Sequence, residues 1–71
     1  MELTNDVRKQ ILKNKLEAME QEEYSILVSL EIAVEVKNES LVKQLQPQAE
    51  MIRKSINALK KRIEELDTPQ E

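Results

Sequence analysis

Cysteine, histidine and glycine are all missing from this 71-residue chain, and Tyr24 is its single aromatic residue. Without Cys there can be no disulfide. Without His or Cys there is no imidazole base, no thiolate nucleophile and none of the usual zinc or haem ligand sets. Without Gly there are none of the usual phosphate-cradling loops. No cofactor, no metal and no enzymatic activity are therefore expected. The acids Glu17, Glu20, Glu22 and Glu23 do cluster, but carboxylate di-metal bundles normally pair Glu with a His at i+3, so this group reads as a solvated helix face. Tyr24, beside it, reads as a packing residue whose hydroxyl reaches the surface.

Long apolar runs are missing too. The most apolar stretch, Ile26 to Val36, is far shorter than the ~20 residues of a membrane helix, and it contains Glu31 and Glu35. The start, Met1 to Lys15, is polar where a signal peptide would need an apolar core. No membrane contact is expected, and the lack of Cys fits a reducing compartment, so the expected location is cytoplasmic.

What the chain does have is helical periodicity. From Val42 to Leu66 apolar residues alternate at steps of three and four. In heptads, Val42, Ala49, Ile56 and Ile63 take the a positions, and Leu45, Ile52, Leu59 and Leu66 the d positions, as in a coiled-coil seam. A second run, Leu12, Leu16, Met19, Ile26, Leu30 and Ala33, follows the same rule except where Glu23 interrupts it, with Val7 and Ile11 on a flanking row. Glu23 reads as a side chain reaching out to solvent, with a register-setting role as the alternative. Thr4, Asn5 and Asp6 precede Val7, and any of them can cap a first helix.

Ile26 to Val36 also alternates with period two, as a strand would. A strand needs a partner, and no other segment alternates. As a helix, the same residues form two stripes, Leu27, Leu30 and Val34 on one side and Val28, Ile32 and Val36 on another. Lys37 to Ser40 reads as the reversal, with Asn38 as the left-handed cap and Ser40 capping the second helix. The competing break is Gln46-Pro47, which would strip Val42 and Leu45 from the seam; otherwise Pro47 falls at an outward f position.

The fold expected is an all-α, antiparallel, coiled-coil-like hairpin in one domain, residues 1–71. Helix 1 runs from about 5 to 36, the turn from about 37 to 40 and helix 2 from about 41 to 66. Residues 67–71, which include Pro69, form a frayed tail. A core this small is marginal alone. With disulfides and the commonest metal ligands excluded, self-association remains, and a homodimer closing a four-helix bundle is expected through Leu27, Leu30, Val34, Ile52, Ile56 and Leu59. The functional expectation is a non-enzymatic interaction or adaptor module with a protein partner. The alternative is a nucleic-acid-binding regulator, since a hairpin gathers Arg8, Lys9, Lys13, Lys60, Lys61 and Arg62 at one end. Against that stand a net charge of −3 and the absence of an aromatic residue at that end.

Overall fold

In the computed structural model, which describes residues 4–67, the chain is two antiparallel α-helices packed side by side: α1, Asn5–Glu35, and α2, Glu39–Asp67. The tail expected to fray lies, beyond Asp67, outside the described residues. No strand forms among the described residues, and Ile26–Val36 is helical up to Glu35. An isolated alternating segment has nothing to pair with, whereas a helix satisfies its own backbone.

Three local devices set the helix ends. Thr4, in an extended conformation, caps α1 by accepting the Val7 amide at its Oγ1 (3.2 Å), and Asp6 adds a negative charge in the first turn. At the other end Asn38 N–H donates to the Ala33 carbonyl at 2.8 Å and Lys37 N–H to the Val34 carbonyl at 3.1 Å. This is the double bond of a Schellman stop. Its left-handed residue is Lys37, at φ 58°, and not Asn38. Asn38 instead caps α2, accepting the Leu41 amide at its Oδ1 (3.2 Å). The cap therefore falls on Asn38 rather than Ser40, which is why α2 begins at Glu39.

Lys37 holds a backbone conformation that costs a residue with a Cβ roughly 1 kcal/mol and costs glycine little. Lys37→Gly is expected to raise the thermal midpoint by about 4 to 8 °C for a domain of this size, read by circular dichroism. A fall would mean that the Lys37 side chain stabilises the α1 terminus by more than its backbone costs.

Pro47 lies inside α2 without ending it. Its ring is exposed, in keeping with an f position, and Val42 and Leu45 stay in the seam. Every position of the two periodic rows is buried or half-buried, from Leu12 to Ala33 on α1 and from Val42 to Leu66 on α2. The most enclosed are Ala33 on α1 and Ile52, Ile56 and Leu59 on α2. Ala33 is fully covered, and its single methyl lets the helices approach beside the turn. The apolar residues of α2 gather on one face, whereas those of α1 are spread more evenly around it. One neighbouring helix cannot cover both sides of α1.

Candidate functional site

In α2 the row of Ile52, Ile56 and Leu59 has e positions on one side and g positions on the other, and the two sides differ in chemistry. The e row holds Arg53, Lys60 and Asp67. Arg53 Nε donates to Glu23 Oε2 across the hairpin at 2.6 Å, and Asp67 pairs with Lys9. The step from Lys9 to Glu23 is fourteen residues, as is the step from Arg53 to Asp67, so both pairs obey one antiparallel register two heptads apart. Glu23 therefore does not reach out to solvent. It is half-buried while Arg53 is exposed, and its pair shares one register with Lys9 and Asp67. A pair this open to water contributes about 0 to 1 kcal/mol, but sliding α2 by one turn would separate both pairs together.

At the open end the Asp67 partner raises the Lys9 ammonium above the ordinary lysine range, chiefly through their hydrogen bond. The same bond holds the Asp67 carboxyl below the usual carboxylate range. Asp67 closes α2, where an acid faces the negative end of the helix dipole; Lys9 offsets that repulsion.

The g side is different. Two shallow hollows of about 330 and 460 Å³ lie along it and share Ser55 as a wall. The hollow nearer the turn is lined by Ile26, Pro47, Met51 and Ile52, with Glu22 and Gln48 at its edge. The hollow nearer the open end is lined by Ile11, Met19, Ala58 and Leu59, with Lys15 and Arg62 at its edge. Together they form one apolar trough along most of the hairpin. A third hollow, of about 410 Å³, sits beside the turn among Ala33, Val34, Val42 and the charged Lys37, Glu39 and Lys43.

The residues expected at an interface are divided by this arrangement. Ile52, Ile56 and Leu59 are buried within the single chain, Leu27 and Leu30 are half-buried, and Val34 is 59% exposed. The trough adds Met51, Ser55, Ala58 and Ile11, which lie outside the two seam rows. Their signal in the sequence is faint: uncharged Gln48 and Ser55 at g positions, and Met51 and Ala58 at c positions, where a solvated helix would carry charge.

The six basic residues do collect at the open end, all exposed except Lys9, which is half-buried in its pair with Asp67. They do not share a face, because the consecutive residues Lys60, Lys61 and Arg62 project in three directions. Of the acidic cluster, Glu17, Glu20 and Glu22 are exposed and only Glu23 turns inward. Among the described residues no group of three or more acids is placed to hold a metal ion. Tyr24 does not pack as expected: it is 72% exposed. No described helix is long and apolar enough to cross a membrane. Compared with protein families, curated proteins and solved structures, the chain matches none.

Proposed function

We propose that this chain is a non-enzymatic interaction module, a helical hairpin that works by presenting apolar surface to another protein chain. One observation carries the reading. Among the described residues the large apolar or aromatic side chains left exposed are Val7, Ile11, Tyr24, Ile32, Val34, Val36 and Met51, seven against the four apolar residues that are buried. Scattered apolar residues on a surface are ordinary, but a small hairpin that leaves seven large ones exposed and encloses only four apolar residues fully, the others being half-buried, is built to be covered. The chemistry agrees, since the chain lacks the imidazole and thiol groups from which most general bases and nucleophiles are made.

Light scattering at tens of micromolar, paired with a low-salt titration against mixed RNA and DNA, tests the reading. An assembled mass with no nucleic-acid binding is the expected result. A stable, folded monomer would overturn self-association. Tight RNA or DNA binding would replace the whole reading if its affinity fell by about one power of ten per decade of salt for each phosphate contact and was lost when Lys60, Lys61 and Arg62 become Glu.

A further inference from the structure

We infer that the occupant of the trough is a second copy of this chain, laid antiparallel across it about a two-fold axis that passes near Ser55. This deepens the proposed interaction role and rests on it.

The first argument is area. The chain exposes 6076 Å², whereas a compact 8.3 kDa monomer exposes about 4,600 Å². The surplus, about 1,500 Å², exceeds the roughly 800 Å² per partner of a standard stable interface. The shape tells the same story. The hairpin measures 53 × 21 × 16 Å with a radius of gyration of 16.4 Å, against about 11 Å for a compact domain of this length. It is one helix layer thick, and a second layer is what it lacks.

Which side the second layer takes follows from the asymmetry of α2. On the e side Arg53 and Asp67 are held in ion pairs between the helices of one chain, and the hollow among Val34, Val42 and Gln46 is confined to the turn. The g side offers the apolar trough and two small side chains, Ser55 and Ala58, that let another helix come close.

Charge and position decide the direction. The open end, residues 5–16 and 60–67, has seven bases and four acids, a net +3; residues 17–59 have four bases and eight acids, a net −4. Parallel stacking would place like ends together. Antiparallel stacking about Ser55 sets each basic open end over the partner's residues 26–33 and 43–50, which carry Glu31 and Glu50 against Lys43. Ser55 lies two residues from Arg53, the midpoint of α2, and is common to both hollows. A two-fold there overlaps the two hairpins along nearly their full length, and it sets α2 against the partner's α2.

The arrangement is tested by Ser55→Cys in the full chain, which has no other thiol. Helices packed about 8 to 10 Å apart bring facing Cα atoms within about 4 to 6 Å, inside disulfide range. Mild oxidation should convert most of the protein to a covalent dimer with unchanged helix content. Asn57→Cys, exposed on the opposite flank of the seam, should remain largely uncrosslinked. Met51→Glu should weaken the assembly at least tenfold without loss of helix, since that side chain is 67% exposed in the single hairpin. An assembled wild-type mass with Asn57→Cys linking and Ser55→Cys not linking would overturn the trough assignment and leave the interaction reading standing. Linking at neither position would overturn the antiparallel arrangement, and a monomeric wild type would overturn both the second copy and self-association.

Discussion

Ile56→Glu should abolish the helical circular dichroism signal at 25 °C and neutral pH. Ile56 is 3% exposed at the middle of the buried α2 row, so the exchange removes a burial contribution of roughly 2 to 3 kcal/mol. It also forces a carboxylate either to enter an apolar seam, at a further cost of several kcal/mol, or to drag the helix open toward water. A domain of this length has about 4 to 10 kcal/mol to lose in total. The neighbouring change Asn57→Glu, on the exposed flank, should shift the melting midpoint by only a few degrees. Titrating Ile56→Glu down through the carboxylate range should recover part of the helix, because the neutral acid is less costly to bury. If the variant melts close to the parent, the Ile52, Ile56 and Leu59 row is not what holds the hairpin together.

Much of this was readable from residue spacing, and the parts that were not share a physical cause. The rows from Leu12 to Ala33 and from Val42 to Leu66 could be found because helix periodicity is local and repeats over several turns. The reversal could be found as well, but not the roles within it. Asn38 suits both the left-handed position and the N-cap, and one residue cannot serve both. The cap bond to Leu41 claimed it, so Lys37 bears the positive φ. Glu23 was misleading for a different reason: its partner, Arg53, is thirty residues away, and only a settled hairpin register brings the two together. The trough was harder still. Heptad rows say which residues pack inward, but a trough is made by what the flanking positions fail to fill, here Ser55 and Ala58 beside the longer Met51 and Ile11.

Pro47→Ala should raise the melting midpoint by about 10 °C or more and stabilise the fold by up to ~3 kcal/mol, the usual cost of proline in a helix interior. The cost has two parts at this position. Proline has no amide hydrogen, so the Lys43 carbonyl one turn earlier has no i+4 donor, and the ring crowds that same carbonyl. Alanine restores the donor and is the best helix former. The site is exposed, so the change removes little apolar burial inside the chain. Yet α2 runs unbroken from Glu39 to Asp67, which means that the packing of Val42, Leu45, Ala49 and Ile52 on α1 already outweighs the penalty. The ring also lines the trough beside Met51 and Ile26, so a second effect accompanies the first. If a partner hairpin rests on that wall, Pro47→Ala should make each chain harder to melt while raising the dissociation constant of the dimer. Thermal melts followed across a hundredfold range of protein concentration separate the two, because chain stability moves every curve alike whereas a weaker dimer moves the onset of the concentration dependence to higher concentration and flattens it below the new dissociation constant. A lower midpoint at all concentrations would mean that the ring's contacts in the trough are worth more to the hairpin than the missing backbone bond.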